Sequence, residues 1–303
     1  MDIIRIGKWE KDKNKNKDKA KAKAKPFTYN YIKTNTQIKD ESLLEQIKNL
    51  HIPPAWDDVH ITSKSKAKVQ AYGTDSKGRK QVIYAKWFTQ QNKDTKYIKI
   101  KQLEPLITQI KEDIHKTLLS VNSKHKIIIT NNIQIALILH IMMLCNFRIG
   151  NDVDTGGKLK AYGLTTLQWN HVRFSKESKT VHFEFVGKKG VINKASCNDP
   201  FVYNILRRMK NNRTDNSATT NIFSVTSSHV NTFLHEYDAN ITSKDIRTWM
   251  ANDLYIKYFF ENPEGETKFE KRQKNALVHV ANNLHNTPAV CKTSYIFPEF
   301  LEI

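Results

Sequence analysis

The segment Asn132–Asn146 constrains this chain more than any other. It reads NIQIALILHIMMLCN, apolar apart from Gln134 and His140 and the flanking asparagines. A helix this apolar is stable in water only when other elements cover it. It falls short of the roughly 20 apolar residues that a bilayer crossing takes, so it reads as the buried helix of a globular domain. The 303 residues, 39% hydrophobic and 10% aromatic, are enough for two modest domains.

The rest of the chain divides into three parts. Residues 11–25, KDKNKNKDKAKAKAK, contain nothing apolar larger than alanine and read as disordered. Residues 1–27 are accordingly assigned to a basic tail, with ordered structure beginning near Pro26. Asp40 is placed to cap a short helix carrying Leu43, Leu44, Ile47 and Leu50, ended by Pro53-Pro54. Alternating runs at Lys68–Gly73 and Lys80–Lys86, joined by Thr74–Gly78, have the pattern of a hairpin. Residues 28–96 are therefore expected to form a small β-rich domain. From Tyr97 the pattern turns helical, over Leu103–Leu119, Asn132–Asn146 and roughly 200–211, 227–237, 243–260 and 268–284. A strand pair, His171–Phe174 and Thr180–Val186, interrupts it. The expected class is α+β, with residues 97–303 mainly helical around one small sheet.

Charge narrows the function. The tail supplies +6 of the net +19, which leaves a basic body at +13. A polyanion, nucleic acid first, is the default partner. No basic amphipathic helix suggests a membrane surface. Three scattered cysteines without a CxxC pair, and an N-terminus without a signal peptide's apolar stretch, fit a reducing compartment. Gly73 and Gly78 have the spacing of half a phosphate loop, but Arg79-Lys80 stands where Lys-Ser/Thr would be needed. His235-Glu236 lacks the second histidine of a zinc protease, and no acidic cluster suggests a two-metal centre. Chemistry on DNA would then proceed without metal, ATP or other cofactor. It would need a nucleophile, donors for the charge growing on the phosphoryl oxygens, and an acid for the leaving oxygen.

Seven segments carry a family resemblance over about residues 50–303. They are IPPAWDDVHI (52–61), GTDSKGRKQVIYAKW (73–87), FRIGN (147–151), YGLTTLQWNHV (162–172), FEFVGKKG (183–190), ITSKDIRTWMAN (241–252) and NTPAVCKTSY (286–295). In this order the sequence resembles the poxvirus- and bacterial-type DNA topoisomerases IB. The resemblance implies a catalytic domain of the tyrosine recombinase and topoisomerase IB type. It implies that Tyr295 attacks the scissile phosphate to give a 3′-phosphotyrosyl bond, and that Arg148 and Arg247 hold the non-bridging oxygens. Lys188, the first lysine after Gly187, takes the family's general-acid position, with Lys189 as its rival.

Asn286 stands nine residues before the nucleophile, where histidine is frequent; an amide still donates a hydrogen bond but brings no charge. His285, at a usual glycine, reads as a surface histidine at a helix end, with a part in the site beside Asn286 as the alternative. The loop 151–163 departs from the family pattern, so no cleavage-site preference carries over. Candidate DNA contacts are Tyr72, Arg79, Lys80, Gln81, Lys189, Lys244 and Lys292. The implied partner is duplex DNA, gripped by a monomeric two-domain clamp inside a cell or virion.

Two rivals remain at this stage. A tyrosine recombinase shares the nucleophile, but it usually carries histidine three residues before the second arginine, where this chain has Lys244. A DNA-binding protein that has lost activity would account for Asn286. Taken singly, Tyr295 could be a packing tyrosine, Arg148 a helix-terminal cation, Lys188 a turn lysine and Arg247 one partner of a surface ion pair. Their order along the chain argues for the enzyme.

Overall fold

The computed structural model describes residues 1–8, 27–122, 128–151, 160–261 and 269–301, with the main chain alone at Asn122 and Lys189. The lysine-rich run 11–25 lies outside the described residues, as does most of the loop 151–163. The chain forms two compact units, Met1–Lys96 and Tyr97–Ile303. Both mix helix and sheet. Among the described residues no helix is long and apolar enough to cross a membrane.

The first unit is an antiparallel five-stranded sheet with one short helix. Its strands are β1 (Ile3–Ile6), β2 (Thr28–Tyr31), β3 (Asp57–Ile61), β4 (Val69–Thr74) and β5 (Lys80–Tyr84), in the order β2-β1-β3-β4-β5. The helix α1 (Glu41–Asn49) begins as expected, with the Asp40 carboxylate accepting from Ser42 and Leu43 N–H. It stops at His51, which turns left-handed at φ 50°, two residues before the prolines.

The expectation that order begins near Pro26 is corrected by β1. This strand sits inside the sheet, Ile3 opposite both Tyr31 and Ile61. Ile3 is fully buried with Val59, Ile61, Ala71, Leu43 and Ile47. Arg5, on the same strand, donates to the carbonyls of Pro53, Pro54 and Trp56 and lies 4.2 Å from the Phe27 ring centroid. Four residues carry too little periodicity to be read as a strand, and the lysine run behind them hides the boundary.

The second unit is built around α3 (Asn131–Cys145). Ten of its residues are buried, Gln134 included, whose amide is satisfied by Ser224. Its core is shared by α2 (Lys86–Leu119), which belongs to this unit from Tyr97 on, α4 (Pro200–Asn211), α5 (Ser227–Leu234) and the first half of α6 (Ser243–Glu261). Helices α7 (Phe269–Asn283) and α8 (Pro288–Ser294) pack with the second half of α6 in a separate cluster. A three-stranded antiparallel sheet, β6 (Val172–Ser175), β7 (Thr180–Val186) and β8 (Ile192–Cys197), completes the unit.

Two elements differ from the sequence reading. Helix α2 starts at Lys86 rather than beyond Tyr97. Its buried stripe, from Tyr97 through Ile100, Leu103, Ile107, Ile110 and Ile114 to Leu118, begins only there, so the first three turns show no apolar period. Strand β8 was not expected, because its alternation is inverted: Asn193 and Cys197 point inward while Ile192 is exposed.

Candidate active site

Three segments bring Arg148, Arg247 and Tyr295 together. The first follows α3. Asn146 adopts the left-handed conformation (φ 54°, ψ 26°) and returns its N–H to the Met142 carbonyl, closing the helix. Phe147 then drops into the core against Phe183 and Phe185, at ring distances of 5.7 and 4.9 Å. Arg148 emerges half-buried. Its carbonyl accepts from Leu164 N–H at 2.9 Å, and that of Ile149 from Thr165 N–H at 2.7 Å. This pairing brings two backbones so close that a Cβ on Gly163 would lie 2.4 Å from the Cα of Gly150. Glycine in YGLTT is thus required by the packing that seats FRIGN.

The second group lies on α6. Its first turn is anchored by Asp245, which accepts from Thr242 N–H (2.9 Å), Thr242 Oγ1 (2.6 Å) and Lys99 Nζ (2.6 Å). Two residues on, Arg247 is only 4% exposed. It is no surface ion-pair member: Nη1 donates to the Asn146 carbonyl and Nη2 to the Leu284 carbonyl. Burial pulls its pKa down, against the pull of Tyr295 in the other direction.

The third segment is α8, entered through the Thr287 cap, whose Oγ1 accepts from Val290 N–H at 3.3 Å. Tyr295 closes this helix and is 9% exposed. Asn252, 3% exposed on α6, donates to the Tyr295 carbonyl (2.9 Å) and accepts from Phe297 N–H (2.9 Å). It fixes the backbone on both sides of Ile296. Sequence reasoning missed this role, although Asn252 closes the ITSKDIRTWMAN segment.

The Tyr295 hydroxyl is the electrostatic focus. Burial by itself would raise its pKa. The nearby positive charges of Arg247 and Arg148 outweigh that and hold the phenol below its ordinary value. The Arg247 guanidinium carbon lies 5.9 Å from the ring centroid. A phenol in this setting is primed to carry negative charge, and the same two forks suit the oxygens of a phosphate.

Asn286 is half-buried beside α8. Its Oδ1 accepts from Thr287 N–H at 3.0 Å, while its Nδ2 is buried with no acceptor among the described residues. His285 is corrected by the structure: it is no surface histidine. It is partly buried, stacks on Phe147 at 5.1 Å, and has Nε2 3.2 Å from the Cys145 carbonyl. Its φ of 49° accounts for a glycine-compatible position.

Lys188 is exposed on a 3-10 turn after Gly187, where a Cβ would meet the Asn193 amide nitrogen at 2.0 Å. The Lys189 side chain lies outside the described residues. Lys244 and Lys292 are exposed. In the first unit Arg79 and Gln81 are both engaged by Asp75, through Nε (2.9 Å) and Nη2 (2.7 Å) of Arg79 and Nε2 of Gln81 (2.9 Å). The Arg79 hydrogen bond holds that carboxyl well below the usual range. Lys80 Nζ lies 4.6 Å over the Tyr72 ring, which stacks on His60. All three cysteines are buried, and burial pushes the Cys291 thiol up to about 11.

Residues 85–300 match the family model for the catalytic core of eukaryotic DNA topoisomerase I, and residues 27–75 that for the N-terminal domain of bacterial DNA topoisomerase IB. The chain belongs to the type IB DNA topoisomerase family. It is 30% identical to a DNA topoisomerase 1B of Acanthamoeba polyphaga mimivirus, over 91% of this chain and 83% of that one. A DNA topoisomerase 1 of rabbit fibroma virus is 24% identical, over 85% and 80%. As a type IB topoisomerase the chain is an isomerase of DNA topology.

Proposed function

We propose that Tyr295 is the nucleophile with which this topoisomerase opens and reseals one strand of supercoiled duplex DNA. The observation that carries the reading is the burial of Tyr295 with the Arg247 guanidinium carbon 5.9 Å from its ring centroid, a setting in which the charges of Arg247 and Arg148 hold the phenol below its ordinary value. Its oxygen attacks the scissile phosphorus in line, the bond to the 5′-oxygen breaks, and a 3′-phosphotyrosyl linkage remains. The phenolic proton passes to solvent, and Lys188 protonates the departing 5′-oxygen. Arg148, Arg247 and the Asn286 amide stabilise the pentacoordinate phosphorane. Torsion rotates the free 5′ end, and the 5′-hydroxyl then reverses the steps. The phosphodiester energy is kept in the covalent bond, so neither ATP nor metal is called for.

In this reading the second unit has the tyrosine recombinase type of catalytic fold, and the chain works as a monomer. Its two units close as a clamp on DNA inside a cell or virion, with Tyr72, Lys80, Lys244 and Lys292 among the contacts. The loss of activity suggested by Asn286 is not favoured, because its free amide donor suits a phosphoryl oxygen. The test is a duplex nicked so that the cleaved fragment departs. Incubation should leave wild-type protein covalently bound to DNA through Tyr295, identified by peptide mapping. A linkage to any other residue, or none, would refute the assignment.

A further inference from the structure

We propose that His285 is a positioning residue, pinning the end of α3, from which Arg148 follows, against the turn that carries Asn286. The inference rests on the assignment of Arg148 and Asn286 to the site.

The residue occupies a left-handed backbone position, φ 49°, that costs a non-glycine side chain conformational energy. Its side chain crosses from the α7–α8 turn to the end of α3. The Cys145 carbonyl, 3.2 Å from Nε2, can only accept, so Nε2 carries the proton and the imidazole donates. The ring lies on Phe147 at an interplanar angle of 30°, and Phe147 is the residue before Arg148.

Arg247 bridges the same two segments one residue further along α3 and one residue earlier on the turn, at Asn146 and Leu284. A single planar bridge leaves a hinge about its own axis. The imidazole, offset from it, removes that freedom. Arg247 also faces Tyr295, so its orientation is shared between two tasks. Burial, with Arg247 and Arg148 nearby, keeps the imidazole below its ordinary pKa, so the clasp adds no third positive charge beside the phosphate site.

The experiment uses the full chain in single-turnover cleavage of a nicked duplex, with DNA affinity and melting temperature measured alongside. His285→Gly suits the backbone and removes the clasp. It should bind DNA with unchanged affinity and melt no lower than wild type, yet cleave about tenfold more slowly, as a small misplacement of catalytic groups does. His285→Gln, whose amide nitrogen replaces Nε2, should recover much of the rate. Combining His285→Gly with Asn286→Ala should slow cleavage by less than the product of the single effects.

A wild-type rate in His285→Gly, or effects that simply multiply, would overturn the proposal. If the glycine variant melts lower, the rate of His285→Gln decides: recovery supports the clasp and no recovery overturns it. Tyr295→Phe, run in parallel, separates the two readings. Cleavage by that variant would remove the site assignment itself, whereas its inactivity beside a fully active His285→Gly would remove only the role of His285.

Discussion

Replacing Asn252 with alanine takes away three buried hydrogen bonds: to Thr248 (2.8 Å), to the Tyr295 carbonyl and from Phe297 N–H (both 2.9 Å). The Thr248 carbonyl belongs to a helical turn, so its loss is small. The other two leave main-chain groups next to Tyr295 without partners. Each stranded buried group costs about 1–3 kcal/mol, so the variant should be destabilised by roughly 2–6 kcal/mol. The nucleophile is also freed at its own backbone, and a shift of about 1 Å in a reacting group slows a reaction by around 10²-fold. Urea unfolding gives the first quantity and single-turnover cleavage the second. Stability within about 0.5 kcal/mol of wild type, the usual range of surface substitutions, together with an unchanged cleavage rate, would refute the claim that Asn252 holds Tyr295 in place.

Three further outcomes are expected. Asn286→Ala should bind DNA normally but cleave about 10²-fold more slowly, as befits loss of an oxyanion donor, and full activity would take Asn286 out of the site. Tyr295 ionises below the ordinary tyrosine value because Arg247 and Arg148 overcome its burial. Arg148→Ala should therefore move the ionisation upward, read as a later rise of tyrosinate absorbance with pH relative to a Tyr295→Phe control; an unmoved curve would contradict the coupling. Gly163→Ala places a Cβ against the Gly150 backbone and should cost at least the roughly 1–3 kcal/mol of an overpacked site, measured by thermal melting; a neutral result would mean that the FRIGN and YGLTT segments separate freely.

Much of this architecture can be read from the chain. The continuous apolar run of α3, the Asp40 cap and the β6–β7 alternation each announce an element because local chemistry and final environment agree. The segments around Arg148, Lys188, Arg247 and Tyr295 are legible on a different ground, their resemblance in this order to the topoisomerase IB family. What stays hidden is set by distant contacts. Nothing near Ile3 indicates that Val59 and Ile61 will meet it. Asn193 looks like a loop residue until its amide is seen donating to the Val191 carbonyl beneath Gly187. His285 looks exposed because its burial comes from Phe147, far away along the chain. Asn252 is one asparagine among many until α8 folds back onto it.

The most direct test of the central claim is relaxation of a supercoiled plasmid in EDTA without ATP, wild type beside Tyr295→Phe. The account predicts relaxation by the wild type and none by the variant, with both proteins binding the plasmid. Relaxation by Tyr295→Phe, or a wild type that needs a divalent metal or ATP, would contradict it.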